Sequence, residues 1–476
     1  MLIFRIFLLV FLFPAVEIGC AQQAPWSLQQ CIDSALANNI TVHLSDLNNQ
    51  LSALDVSQAR SDRLPDLNLS ADQNFNFGNV TDPVSDQASY KTVVTNNFSL
   101  SSSLTLFHGY QLQRAIHQEQ LNYKAGTLDL QKLKNDLSLS VLDAYVQVLV
   151  SYKALQIAEE QVSVSAEEVA RTKKYVDAGK FPESNLLLIR SQLATDQLGR
   201  VNAANQLQLA KVSLMQLMNI PLSPDFEIRQ ADIGSLLTPE ASAAPEIYQT
   251  ALAFLPQIKS AQLKTDAALT GLQLAKGAAY PWLTLGGSLR TNYADNNYRL
   301  SYTTTYLSEP IGYLQSNPAE TVYGPVPQTT VHEGHYSFAD QVSDHFNPFL
   351  TIGFSVPLIS HHEVLNNVAK AKLLIRESGW EQELTKNALR KDIELAVANE
   401  TAAASTYQAA MAQDSAEAMA FNNMEVKFNN GVVSATDFLL EKNNREKAAL
   451  NLLLASFDYL YKIKLIDFYL GKTITF

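Results

Sequence analysis

A chain of 476 residues has room for two or three ordinary domains, yet 17 prolines and a 47% hydrophobic composition favour long regular elements over a loop-rich enzyme. The formal net charge of −12 disfavours a nucleic-acid partner. After the first residues no apolar run of about 18 or more remains to form a spanning helix, so any crossing of a bilayer falls to strands.

The chain opens as an export signal over residues 1–21: Arg5, an apolar run from Ile6 to Val16 broken by Pro14, and Gly19-Cys20-Ala21 before Gln22. Acylation of Cys20, as in a lipoprotein, is the alternative, although Glu17 stands where such signals carry an aliphatic residue. Cleavage after Ala21 leaves Cys31 alone, with no intrachain disulfide.

A helical pattern of Leu28, Ile32, Leu36, Leu44, Leu47 and Leu51 predicts one helix over about 28–63, ended by Leu64-Pro65. The period then changes to two. Leu67, Leu69, Phe75 and Phe77 alternate with Asn68, Ser70, Asn74 and Asn76, predicting a strand over about 66–77. A second strand follows over about 97–107, with Phe98, Leu100, Leu104 and Leu106 opposite Ser99, Ser101, Ser103 and Thr105.

The longest element is a helix over about 110–178. From Val141 it carries a seam of period seven through Val148, Leu155, Val162, Val169 and Val176, which calls for a partner helix. Small residues three positions on (Ala144, Ser151, Ala158, Ser165, Thr172) let a neighbour approach closely. The turn around Gly179 and Pro182 leads into a helix over about 183–219, then a proline-rich connector over 220–245.

The plan then repeats. A shift of 216 lays residues 31–69 on 247–285 without a gap, matching Pro65 to Pro281, and a shift of 252 lays 98–219 on 350–471, matching Gly179 to Gly431. Copies 22–245 and 246–476 therefore share one order of helix, strand, strand, long helix, shorter helix. In the second copy the helices fall at about 244–278, 362–429 and 434–470 and the strands at about 282–290 and 348–358, with a polar insert at about 291–345 between them. An insertion disturbs least at a hairpin tip.

Four amphipathic strands of about 9–11 residues suit a bilayer but cannot close a barrel, and open edges are too costly in lipid. A ring of identical chains resolves this, and three chains supply twelve strands. Two shorter helices stacked end to end match one long helix, so a companion tube of helices is expected, with a belt where the shorter helices meet.

At this point the chain resembles the TolC-type outer membrane efflux proteins, the outer membrane factors of Gram-negative bacteria. The resemblance rests on the tandem repeat, the hairpins bounded by Pro65 and Pro281, and the tips Tyr175-x-x-x-Gly179 and Phe428-x-x-Gly431-x-x-Ser434-x-x-Asp437. It implies a homotrimer whose twelve-stranded β-barrel in outer-membrane lipid continues into a periplasmic α-helical coiled-coil barrel. It also implies a passive duct that takes cargo from an inner-membrane transporter of the RND, ABC or MFS type through a periplasmic adaptor (membrane fusion) protein, and it implies no cofactor and no enzyme activity.

The same resemblance points to the tips as the gate and adaptor-docking region. Asp437 stands where the best-known member has a gating aspartate, whereas Asn185, Val433 and Leu440 replace charged residues of that member, so a partly apolar constriction is expected. Ser434 to Asp437 also reads as a capping box worth about 0.5–2 kcal/mol without any gating. Gly179 and Gly431 suit helix C-caps and Pro182 a first helical turn.

Other chemistry is sparse. His332-Glu333-Gly334-His335 lies in the insert without the spacing of a zinc motif and reads as ordinary loop. Tyr298, Tyr302, Tyr306 and Tyr313 read as an extracellular loop or the edge of an aromatic girdle. The rival functions are a periplasmic coiled-coil scaffold or adaptor without a pore, and a surface enzyme built on the insert.

Overall fold

The computed structural model describes residues 25–81, 87–230 and 243–474. The expected signal with Cys20, and residues 231–242 of the expected connector, lie outside the described residues. The chain divides into two units: residues up to 49 with 126–261 and 381 onward, and residues 50–125 with 262–380.

The first unit is helical. It holds α1 (Leu28–Asn38), the start of α2 (Ile40–Ser61), α3 (Gln111–Asp177) from residue 126, α4 (Glu183–Leu217), α5 (Ala244–Phe254), the start of α6 (Pro256–Gly277), α8 (Glu363–Asn429) from residue 381, and α9 (Ala435–Tyr469). Val141, Leu142, Tyr145, Val148 and Leu149 of α3 are buried with Cys31 and Ile32 of α1, Leu214 and Met215 of α4, and Phe457 and Leu460 of α9. The Tyr145 hydroxyl donates to the Arg229 carbonyl at 2.6 Å, fastening the strand-like bridge between Trp26 and Ile228. A second apolar cluster joins Ile247, Ala251 and Leu255 to Leu389 and Ile393 of α8 and Ile466 of α9.

Two helices expected to be continuous are each broken. The element predicted over 28–63 stops at Asn38 and restarts at Ile40, because Asn39 turns to an extended conformation and its Oδ1 accepts from the Thr41 backbone at 2.9 Å. The element predicted over 244–278 breaks at Leu255, extended at ψ 130°, because the ring of Pro256 excludes the helical conformation from the residue before it. The resulting pieces have equal lengths: 11 residues in α1 and α5, and 22 in α2 and α6. The long helices α3 and α8 have 67 each, and α4 and α9 have 35 each.

The second unit is built on an antiparallel sheet in the order β1 (Asn68–Thr81), β2 (Ala88–His108), β3 (Trp282–Ala294), β6 (Asn347–Ser355). Its register aligns apolar residues in rows: Leu69 with Leu100, Leu100 with Leu289, and Leu104 with Leu285, which in turn faces Ile352. Ser70, Ser99 and Arg290 form a matching polar row on the opposite side. The alternation continues to Thr105, where a bulge leaves Leu106 outside the ladder and pairs Phe107 with Leu283. The first two strands run beyond their predicted ends, and β6 stops at Ser355 rather than near 358. Its partner β3 begins at Trp282 directly after Pro281, and Pro357 has no N–H to donate to a ladder. At the other boundary Pro65 is followed by Asp66, whose backbone N–H donates to the Ser103 carbonyl at 3.1 Å before β1 begins.

The insert is ordered, contrary to the expectation of a loop. It contains a hairpin of β4 (Arg299–Leu314) and β5 (Asn317–Gly334), followed by α7 (Phe338–Asp344). His332 is a strand residue facing Ser301 across the hairpin. Six threonines, four tyrosines and three valines lie along the two strands, and such residues fit a pleated surface. Gln341 of α7 is buried and bonds to the Ala294 backbone on both its N–H and its carbonyl, at 3.0 Å each.

Candidate functional site at the helical turns

The helical hairpins α3–α4 and α8–α9 turn in the same way. Gly179 (φ +74°) and Gly431 (φ +73°) sit in the left-handed region. The N–H of Gly179 donates to Val176 O at 2.9 Å and that of Lys180 to Tyr175 O at 2.8 Å; Gly431 donates to Phe428 O and Val432 to Lys427 O, both at 2.9 Å. Each pattern closes the last carbonyls of a helix with crossed bonds around one residue of positive φ.

The helix starts differ. Pro182 is the N-cap of α4 and provides no side-chain bond. At α9 the Ser434 hydroxyl accepts from the Asp437 backbone at 3.1 Å, and the Asp437 carboxylate accepts from that hydroxyl at 2.7 Å. Asp437 is exposed, as are Leu440, Gly431, Gly179 and Pro182, while Asn185 is half-buried.

Phe428 and Val433 belong to an apolar cluster that joins the two hairpins. Phe428 (1% exposed) and Phe438 (0%) pack with Ile189 and Ala435, against Phe181, Phe421 and Val169. Phe181 and Phe428 have ring centroids 5.6 Å apart, and Phe421 and Phe438 are 5.8 Å apart. The hairpins are thus welded by aromatic rings close to their turns. Sequence reasoning singled out Phe428 and Val433 and missed Phe438 and Ile189, although Ala435, Phe438 and Lys442 mark one face of α9 at helical spacing.

Polar groups lie along the same interface. From Ser151 toward the turn the most deeply buried positions of α3 are Ser165 (1% exposed), Glu168 (3%) and Thr172 (0%), so the side with small residues packs more closely than the expected seam of Val162, Val169 and Val176. Arg171 joins α3 to α8, donating to Glu168 at 2.6 Å and to Asn429 at 2.8 Å. Burial pushes the Glu168 carboxyl above its ordinary pKa, with Arg171 opposing.

Deeper still, Lys442 of α9 bonds to Asp196 of α4 at 2.5 Å and to Ser165 of α3, and both members of the ion pair are 2% exposed. Gln192 donates to the second Asp196 oxygen at 2.7 Å. Nearby, Glu446 is raised in pKa, first by burial and then by Asp196. Neither charge was singled out from the sequence; each interrupts an apolar face, Lys442 after Ala435 and Phe438, and Asp196 after Leu186 and Ile189.

Residues 31–219 match the family described as outer membrane efflux protein. The chain is 27% identical over 227 residues to the pyoverdine export outer membrane protein OpmQ of Pseudomonas putida, a match that spans 47% of this chain and 47% of that protein, about half the length of each. Among solved structures it is similar in fold to CusC (TM-score 0.74, 16% identity, 94% of this chain and 92% of that one). It is likewise similar to VceC of Vibrio cholerae (TM-score 0.71, 13% identity, 94% and 96%).

Proposed function

We propose that this chain is an outer membrane efflux protein of the TolC type and the passive exit duct of a tripartite export system, a reading supported by the family match over residues 31–219. It lies in the outer membrane with its helical part in the periplasm, and its family consists of channels rather than enzymes. The observation that carries the duct reading is the sheet β1-β2-β3-β6. Leu69, Phe77, Leu350, Ile352 and Phe354 are each more than two-thirds exposed, and β1 and β6 stand at the ends of the strand order. Such a surface is stable in lipid only if the end strands are paired, and a ring of three chains pairs them in a barrel of twelve strands.

In this reading residues 1–21 are the export signal, 22–245 and 246–476 are tandem copies, and the insert at about 291–345 projects outside the cell. The equal lengths of α3 and α8, and of α4 and α9, support the tandem plan. The turns at Gly179 and Gly431, with Pro182, Asn185, Phe428, Val433, Ser434, Asp437 and Leu440, form the narrow periplasmic end and the place where an adaptor docks. Exposed Leu187, Leu440 and Val432 support a constriction that is partly apolar. An inner-membrane transporter supplies energy and chooses the cargo. From the relative named for pyoverdine export we carry over export across the outer membrane and not the cargo.

The test is the mass of the detergent-extracted native particle, corrected for bound detergent. Three chains per particle support the duct, and a stable membrane monomer removes it. Recovery in the soluble periplasm would instead favour the poreless scaffold.

A further inference from the structure

We propose that Lys442, Asp196 and Ser165 form a buried polar staple that sets the register of α9 against the α3–α4 hairpin, and that closure of the two turns depends on this register. The closure part rests on the duct reading, whereas the register part does not.

The small residues that recur every seven positions along α3, Ser151, Ala158, Ser165 and Thr172, offer a neighbouring helix similar docking surfaces at offsets of one heptad. The staple removes that freedom. A buried charge pair gives little net stability over apolar residues of the same size, but a buried charge without its partner is strongly unfavourable. Slippage by one heptad would bring Ala435 or Ala449 to the place of Lys442 and leave both charges without their partner, so it is disfavoured even where the small-residue row would accept it.

The geometry is specific. One Asp196 oxygen accepts from Lys442 at 2.5 Å and the other from Gln192 at 2.7 Å, and Gln192 also donates to Asn443 of α9 at 3.2 Å. The pair is also asymmetric between the two halves of the chain. At the shift of 252 that aligns the halves, Lys442 corresponds to Arg190, which is exposed, and Asp196 to Ala448, which is buried. No second staple of this kind therefore arises from the repeat, and one device sets the stagger of α9 on α4. Phe438 lies four residues from Lys442 along α9 and Ile189 seven from Asp196 along α4, both on the side of the turns, and both pack with Phe428 of α8, so the stagger decides which of these side chains meet.

The experiment replaces the pair by apolar residues of similar size, Lys442→Met with Asp196→Leu, in the full chain. Cysteines placed at exposed Ser184 and Thr436 take spin labels, while the native Cys31 is fully buried. The wild type should give one narrow interspin distance. The double variant should assemble with a thermal midpoint at or above that of the wild type, yet show a second distance from helices displaced by one heptad, about 10 Å at about 1.5 Å per residue, and a raised resting conductance in planar bilayers.

An unchanged distance distribution with unchanged conductance would overturn the staple. So would failure of the double variant to assemble, because the pair would then be needed for stability itself. A wild type that conducts no ions would instead refute the duct reading and leave the distances to decide the register.

Discussion

Phe428 and Phe438 stack with their ring centroids 4.5 Å apart and their planes 11° from parallel. One ring comes from the last turn of α8 and the other from the first turns of α9, so the stack spans the turn at Gly431. Removal of a buried phenylalanine costs about 3–5 kcal/mol. Phe438→Ala should therefore loosen this end of the helical unit selectively: protease cleavage and amide exchange should rise around 420–440 and stay unchanged around Val141 and Leu214. Uniform protection across the unit would show that the stack is not what holds the turn.

The two turn glycines separate backbone strain from crowding. A Cβ at Gly179 would meet nothing within 4 Å, and its φ is +74°. Gly179→Ala should therefore cost only the left-handed conformation, about 1–2 kcal/mol, and Gly179→Asn should cost less, as measured by unfolding midpoints. Gly431→Pro is more severe, because proline fixes φ near −65° and deletes the N–H that donates to Phe428 O. It should give a leakier resting channel, and an unchanged conductance would remove the case for a gate at this turn.

Ser434 and Asp437 allow capping to be told from gating. Ser434→Ala should destabilise the start of α9 by about 0.5–2 kcal/mol. Asp437→Asn keeps the backbone donor that the cap uses, so its stability should change little. A gating role would then appear as altered conductance in Asp437→Asn alone, and normal conductance would leave Asp437 as a capping residue.

Glu168 makes stability depend on pH in a defined direction. Burial raises its pKa above the ordinary 4.5. An acid whose pKa rises on folding penalises the native state while it is ionised. Its penalty is full at pH values above the raised pKa, fades as pH falls through it, and is gone below about 4.5. Glu168→Gln should accordingly melt higher than the wild type at pH 8, with the gain shrinking toward pH 4.5. A constant difference across that range would mean that folding does not shift the pKa of this carboxyl.

The sheet can be tested for contact with lipid. Ile352→Arg places a charge on the apolar row, where a bilayer imposes about 2–4 kcal/mol near its midplane. Recovery of assembled particles from the membrane fraction should drop. Thr351→Arg, one residue away and on the opposite face, should be tolerated better, and equal recovery of the two would argue against a lipid-facing row.

The elements set by local rules were legible in the sequence. The alternation Leu69, Ala71, Phe75 and the matching run in β3 predicted strands, and Gly179 and Gly431 predicted the turns, because periodicity and positive φ are decided within a few residues. Folding decided the rest. Asn39 breaks a helix through its own carboxamide, and Leu255 breaks another because of Pro256, two causes of one outcome that period-counting passes over. The hairpin β4–β5 carries turn-like residues among its strand formers, and only pairing over its whole length makes them a ladder.

By itself the sequence determined which residues alternate, which recur every seven positions, and where the chain turns. How far the seam of α3 stays in the interior was decided by tertiary packing: Val141 and Val148 are buried, but toward the turn the buried positions are Ser165, Glu168 and Thr172. Packing also decided that Lys442 and Asp196, 246 residues apart, would meet, since the energy of a buried charge depends on its partner and not on its place in the chain.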